Sequence, residues 1–190
     1  MKVLTGALRG QSIRFRPNPS LRPTPDKARE ALAQRMRAIF ENATVLDLFS
    51  GTGALGMEAL SLEARRVDFV ELERRQCTEL QKTLSDLKVG DERCGVYAHD
   101  AFKFLQGFSS EGAGYDVILA DPPYDTDDAQ RLISAVGVSP ALREGGWLVV
   151  ETRKKNLLEG SGMLKLYDTR LYGDTRFSFF RQISRLTLDS

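Results

Sequence analysis

The chain's pattern predicts an α/β fold: a doubly wound, mostly parallel sheet closed by a C-terminal antiparallel hairpin, with a small N-terminal β-hairpin extension. Three observations carry this. Between residues 44 and 151, short apolar runs alternate with segments of three-four apolar spacing, as strand–helix–strand crossovers require. The first run ends in a glycine-rich turn. The last stretch instead holds two strand-like runs in succession around Gly173-Asp174. Strands joined through helices imply right-handed crossovers and a parallel sheet covered on both faces.

In chain order, Val3 to Phe15 has short apolar segments around Gly6 and Gly10 and reads as a small hairpin. Residues 16–25 hold four prolines and read as extended, ending in a helix start with Thr24 as N-cap and Pro25 at the first helical position. Ala28, Leu32, Met36, Ile39 and Phe40 mark the apolar face of that helix. Strands follow at Thr44–Phe49, Val67–Glu71, Gly95–Ala98, Tyr115–Ala120 and Trp147–Glu151. Helices are expected from about Ala54, through Cys77, Leu80, Leu84 and Leu87, from about Ala101, and through Ala129, Leu132, Ile133 and Val136. Leu164–Tyr172 and Arg176–Ile183 form the closing hairpin. Residues 1–25 are expected to be a basic, proline-rich extension and 26–190 the catalytic domain.

The chain has 190 residues and a net charge of +1. No apolar run approaches the ~20 residues of a membrane helix, and the N-terminus lacks the apolar core of a signal peptide. Cys77 and Cys94 are too isolated for a disulfide framework, which fits a cytoplasmic protein. No His, Cys or Asp cluster has metal spacing, so no metal is expected. Cys77 and Trp147 read as packing residues, Cys94 as inert, and His99, the one histidine, as a strand-end polar residue. Charge is uneven: residues 1–30 carry +5 and residues 151–190 carry +3, which leaves −7 for the middle by difference from the total. Basic ends around an acidic middle suit a polyanion docking beside a pocket for a partly cationic ligand.

The chemistry-bearing residues fall at strand ends. Asp121-Pro122-Pro123-Tyr124 follows the strand at Tyr115–Ala120. Two prolines cannot continue a ladder, so the strand stops there and leaves an acceptor-rich edge. A carboxylate and a carbonyl can accept the two hydrogens of an exocyclic amine, and a ring can stack on its base. Alone, the motif reads equally as a proline turn. Asp47, Phe49, Ser50, Gly51, Thr52 and Gly53 form the first strand-to-helix turn, where glycines let a ligand approach the backbone. Glu71 ends the second strand, placed to accept two ribose hydroxyls. Asp100 and Ala101 follow the third strand, placed for an adenine amine and a ring nitrogen. Gly51-x-Gly53-x-x-Gly56 also matches a dinucleotide fingerprint, which keeps an NAD-linked oxidoreductase open. Asp47 counts against it, since a carboxylate disfavours a pyrophosphate and suits the cationic amino-acid end of S-adenosylmethionine.

With these residues placed, the chain resembles the bacterial 16S ribosomal RNA guanine-N2 methyltransferases of the RsmD-like family, within the Rossmann-like class I methyltransferases. The resemblance rests on Leu21-Arg22-Pro23-Thr24-Pro25-Asp26-Lys27-Ala28-Arg29-Glu30-Ala31-Leu32, on residues 45–61 from Val45 through Gly56-Met57-Glu58-Ala59-Leu60-Ser61, and on Asp121-Pro122-Pro123-Tyr124. Ala33 and Leu62-Glu63-Ala64 depart from the family pattern and read as helix-surface or packing changes. The resemblance implies S-adenosylmethionine as methyl donor, with S-adenosylhomocysteine as product. It implies a guanine amine in 16S rRNA as acceptor, with an assembling small ribosomal subunit as a candidate setting. It also implies Asp121, Pro122, Pro123 and Tyr124 as the catalytic set, with the segment of Arg22 and Thr24 bordering the site. Arg9, Arg14 and Arg16 are candidate phosphate contacts. A monomer without membrane association is expected. A DNA adenine-N6 methyltransferase is the alternative that shares the motif, and a non-catalytic RNA-binding module a more distant one.

Overall fold

The computed structural model describes residues 1–15, 24–109, 114–123 and 127–184. The elements run α1 (Asp26–Phe40), β1 (Thr44–Leu48), α2 (Ala54–Ser61), β2 (Arg66–Glu71), α3 (Arg74–Asp86), β3 (Cys94–Ala98), α4 (Ala101–Gln106), β4 (Tyr115–Ala120), α5 (Asp128–Val138), β5 (Leu142–Arg153), β6 (Leu164–Tyr172) and β7 (Thr175–Gln182). They form one seven-stranded sheet in the order β3-β2-β1-β4-β5-β7-β6. The first five strands in that row pair in parallel, while β7 pairs antiparallel with both β5 and β6.

The central strands are buried on both faces, which is why they read as largely apolar runs. Alternate residues feed two cores. Val45, Val67, Phe69, Val117 and Val149 pack with α1, α2 and α3 on one face. Leu46, Leu48, Val70, Ile118 and Leu148 pack with α4 and α5 on the other. Buried Cys77 joins α3's apolar stripe, and Ala129, Leu132, Ile133 and Val136 are all buried on α5. Among the described residues no helix is long and apolar enough to cross a membrane, and no three His, Cys, Asp or Glu side chains cluster as a metal site.

Three details differ from the sequence reading. The N-terminal segment is not a two-stranded hairpin. A single antiparallel bridge, Lys2 with Ser12, closes it, supported by Val3 N–H to Gln11 O at 3.0 Å and Gly10 N–H to Val3 O at 2.8 Å. Its backbone is instead held by α2. The Glu58 carboxylate accepts from Leu4 N–H at 2.9 Å, Thr5 N–H at 3.0 Å and the Thr5 hydroxyl at 2.7 Å, and Ser61 Oγ accepts from Leu8 N–H at 2.9 Å. Val3 and Ile13 share the core of α1 and α2.

Thr24 is not the N-cap of α1. Pro25 takes that position with ψ 139° and no side-chain cap bond. The Thr24 hydroxyl instead donates to Glu151 Oε2 at 2.6 Å, helping to satisfy a buried carboxylate rather than the helix end. β5 also starts earlier than expected, at Leu142. A register shift against β4 carries the strand through Glu144-Gly145-Gly146.

Leu62-Glu63-Ala64 lies just beyond α2, where the packing reading holds for Leu62 and Ala64, both buried in the core, while Glu63 is exposed. Glu63 has φ 67°, the left-handed conformation of a helix C-terminus that favours glycine. Glu63→Gly is expected to raise unfolding stability by about 0.5–1 kcal/mol, because relief of left-handed strain outweighs glycine's greater unfolded entropy. Chemical denaturation of the two proteins checks this; an unchanged or lower midpoint would contradict it.

Candidate active site at the sheet's switch point

Successive strands β1, β2 and β3 step one way across the sheet, and β4 and β5 step the other. The strand order therefore reverses between β1 and β4, and a crevice opens at their carboxyl ends. The turn after β1 forms one wall, and Asp121-Pro122-Pro123 after β4 forms the other. Ala120, the last residue of β4, is in register with Leu48 on one side and Val150 on the other. Asp121 is thus level with Phe49 and Glu151. It is half-buried, Pro122 is buried and Pro123 is exposed.

The turn after β1 is tightly determined. Phe49 has φ 55°, an uncommon conformation for a residue with a side chain, followed by Gly51 at 51° and Gly53 at 74°. Such backbone strain concentrates at ligand sites. A Cβ on Gly53 would lie 2.6 Å from Leu80 Cδ1, and one on Gly56 would lie 2.3 Å from Phe69 Cε1. Glycine is therefore required both for the turn and for seating α2 against the sheet. Ser50 Oγ is buried with no hydrogen-bond partner among the described residues. A donor-acceptor group left over inside a glycine turn fits a polar ligand that completes it.

Glu71 braces this turn from β2. Its Oε2 accepts from Gly51 N–H at 2.8 Å and its Oε1 from Glu73 N–H at 2.8 Å, which fixes the carboxylate plane. Leu72, next in the chain, leaves 70% of its surface exposed. Beyond β2 on the same side, Asp100 caps α4 by accepting from Lys103 N–H at 2.9 Å, and Ala101 is buried behind it. Phe49 meets Phe102 edge-on at 5.9 Å between centroids.

Asp47 lies beneath the turn, 1% exposed, with Oδ2 accepting from Gly56 N–H at 2.9 Å. Burial pushes its pKa up to about 7; the Gly56 N–H opposes that rise and the Glu71 charge adds to it. With Glu71, Asp100, Asp121 and Glu151, it makes this end of the sheet a rim of five carboxylates, suited to a ligand bearing positive charge.

The structure thus brings Asp47, Phe49, Ser50, Gly51, Thr52, Gly53, Glu71, Asp100, Ala101, Asp121, Pro122 and Pro123 to one edge. Tyr124, Arg16 and Arg22 lie outside the described residues. Arg9 is exposed on the N-terminal segment. Arg14 is tied to α3 through an ion pair with Asp86 and its N–H to Thr83 Oγ1. Thr24 faces Glu151 rather than solvent. Sequence reasoning passed over three neighbours of the crevice. Glu151 looked like a strand end, although a carboxylate closing an apolar run was a usable signal. Leu72 and Phe102 carry no signal before the fold places them.

Sheet order, crevice and acidic rim define a class I methyltransferase fold. The family described as Conserved hypothetical protein 95 matches residues 1–181. Ribosomal RNA small subunit methyltransferase D of Haemophilus influenzae is 31% identical over 81% of this chain and 79% of its own length. The Escherichia coli protein of that name is 32% identical over 80% and 71%. Among solved structures, Escherichia coli yhhF superposes with a TM-score of 0.81 at 26% identity, covering 97% of this chain and 99% of that one. A Thermus thermophilus protein gives 0.80 at 26% identity, covering 94% and 98%. The chain belongs to the Conserved hypothetical protein 95 family, the RsmD family of methyltransferases.

Proposed function

We propose that the enzyme transfers a methyl group from S-adenosylmethionine to the exocyclic N2 amine of a guanine in 16S ribosomal RNA. The observation that carries this reading is the placement of Asp121-Pro122-Pro123 directly across the switch-point crevice from the Glu71-braced glycine turn. The two relatives named for the ribosomal small subunit support the choice of RNA.

In this reading Gly51, Gly53 and Ser50 hold the amino-acid end of the donor, Glu71 its ribose hydroxyls, and Asp100 with the Ala101 N–H its adenine. Leu72 and Phe102 offer apolar contact to the adenine ring. When bound, S-adenosylmethionine supplies a methyl group made electrophilic by its sulfonium. A guanine amine is a poor nucleophile, because its lone pair is delocalised into the ring. Asp121 accepts one amine hydrogen and a proline carbonyl the other, which draws the nitrogen toward tetrahedral geometry and aims its lone pair. Asp121 is also the acceptor for the proton the amine sheds. Tyr124 is assigned the stacking face from its place in the sequence. Positioning and a preorganised carboxylate supply most of the rate, and the target base leaves its stack at a cost of about a few kcal/mol. Residues 1–25 serve as the basic extension and 26–190 as the catalytic domain. One chain suffices, since it supplies both walls of the crevice.

Asp47 gives the cofactor site a pH dependence. Without a ligand its proton is retained up to about pH 7, so its charge opposes folding as pH rises from about 4 through 7. A ligand ammonium nearby favours the ionised form, so binding releases that proton. Affinity for S-adenosylhomocysteine is expected to rise about ten-fold per pH unit up to about pH 7 and then level off. Calorimetry in buffers of different ionisation enthalpy reads the proton directly. Asp47→Asn should flatten the profile at lower affinity, and a wild-type profile flat between about pH 5.5 and 8 would contradict the assignment.

The activity is tested by offering labelled methyl donor with protein-free 16S rRNA, assembled small subunits, or DNA. Label in either RNA sample supports the proposal. Label confined to DNA would favour the adenine-N6 alternative, which the same motif serves.

A further inference from the structure

The outer edge of the sheet, on β6 and β7, carries a basic and aromatic surface. β6 is the edge strand, and on the side that faces α1 it meets β7 and the middle of β5. Arg181 of β7 lies over the Trp147 ring at 4.6 Å, and Tyr167 of β6 meets the same ring edge-on at 5.0 Å. Tyr167 leaves 68% of its surface exposed. Lys165 is the register partner of Arg181. Further along β6, Asp168 is shared by Arg170 at 3.1 Å and by Arg35 of α1, whose guanidinium also lies 4.9 Å over Phe179.

Four cations, Arg35, Lys165, Arg170 and Arg181, therefore share this face with one carboxylate, Asp168, which pairs with Arg35 and Arg170. Glu144 stands at its lower margin, where Arg143 and Asp116 neutralise each other. Two features set this apart from an ordinary solvated surface. Arg181 is held on the Trp147 ring, which fixes the guanidinium without cancelling its charge, while Arg35, held on the Phe179 ring, also pairs with Asp168. The excess of cations also sits beside an exposed tyrosine, at the open edge of a chain whose middle is acidic. Fixed cations next to a free ring are what single-stranded nucleic acid requires, with phosphates on the cations and a base on the ring. β6 lies three strand spacings from β4, so the face is roughly 15–20 Å from Asp121.

We infer that this face is a second docking surface for RNA: Lys165, Arg170 and Arg181 hold phosphates flanking the target nucleotide, and Tyr167 stacks on a base. The inference rests on the proposed activity toward ribosomal RNA and extends it. It assigns docking to a surface that makes up for the N-terminal basic residues already tied within the fold, Arg14 among them.

The test uses the full chain, protein-free 16S rRNA and assembled small subunits. The double variant K165Q/R170Q should make the dependence of log affinity on log salt shallower by about 1.4, two phosphates at ~0.7 each. Its KM for RNA should rise about ten-fold, with kcat at saturating RNA and the affinity for S-adenosylhomocysteine unchanged. Y167A should weaken RNA binding about ten-fold with the salt slope intact, since stacking releases no counterions. All three side chains are exposed, so thermal midpoints near that of the parent protein are expected. Unchanged slope and KM in K165Q/R170Q would overturn the inference. So would a loss seen only on assembled subunits with affinity for free RNA unaltered, which would assign the face to a ribosomal protein. If the parent protein methylates no ribosomal RNA, the proposed activity fails; if it does and these variants match it, only the docking face fails.

Discussion

Asp121→Ala is expected to lower methyl transfer by at least ~10³-fold while leaving the affinity for S-adenosylhomocysteine within about three-fold. The asymmetry follows from where Asp121 sits. It belongs to the wall after β4, while the donor is assigned to the turn after β1 and to the ends of β2 and β3. Removing its carboxylate takes away both the acceptor that aims the amine and the acceptor for its proton. The two prolines keep their place, because Pro122 is buried and β4 still ends in register with β1 and β5. Asp121→Asn separates the two tasks. It keeps an acceptor oxygen and removes the negative charge, so its turnover should fall between that of the parent and that of the alanine variant. Single-turnover transfer and calorimetry on the same preparations measure both quantities. Near-normal turnover in the alanine variant would remove Asp121 from the mechanism, and lost cofactor affinity would place it on the wrong wall.

Glu71→Ala carries the second large effect, with the opposite signature. Its two oxygens are fixed by Gly51 N–H and Glu73 N–H, so the carboxylate meets a ribose already oriented. Charge-assisted hydrogen bonds to two hydroxyls, together with loss of the brace on the glycine turn, should raise the Kd for S-adenosylhomocysteine about 100-fold. The KM for the methyl donor should rise in parallel, while RNA affinity measured without donor stays as it was. Glu71→Gln should recover part of the loss, since one acceptor oxygen remains. A Kd within about two-fold of the parent would show that Glu71 only shapes the turn.

The parts of this molecule legible in sequence are those where one local rule dominates. The strands at Val45–Leu48 and Val117–Ala120 are buried on both faces, and largely apolar runs announce them, with Asp47 the one exception. The turn at Gly51 and Gly53 and the break at Pro122-Pro123 announce themselves by residue type, and so both walls of the crevice were visible. What escaped depends on contacts distant in sequence. Thr24 looks like a helix cap until Glu151, 127 residues away, proves to be its partner. Glu58 looks like a misplaced charge on an apolar helix until the N-terminal backbone, 53 and 54 residues earlier, donates to it. Glu63 is the exposed residue it reads as, and only its φ shows it doing what a glycine does at a helix end. The start of β5 at Leu142 was hidden because sequence cannot show the β4 register that carries the strand through Glu144-Gly145-Gly146. The basic face on β6 and β7 was hidden for the same reason, since Arg35, Trp147, Arg170 and Arg181 come together only in the folded sheet.

The central claim is that the Asp121-Pro122-Pro123 wall presents a guanine amine to the donor bound on the glycine turn. Its most direct test is to digest 16S ribosomal RNA after incubation with enzyme and isotopically labelled S-adenosylmethionine, and to identify the labelled nucleoside by mass spectrometry. The account predicts N2-methylguanosine as the labelled product, absent when Asp121→Ala replaces the parent enzyme. Label in N6-methyladenosine, or in guanosine at a ring nitrogen, would contradict it.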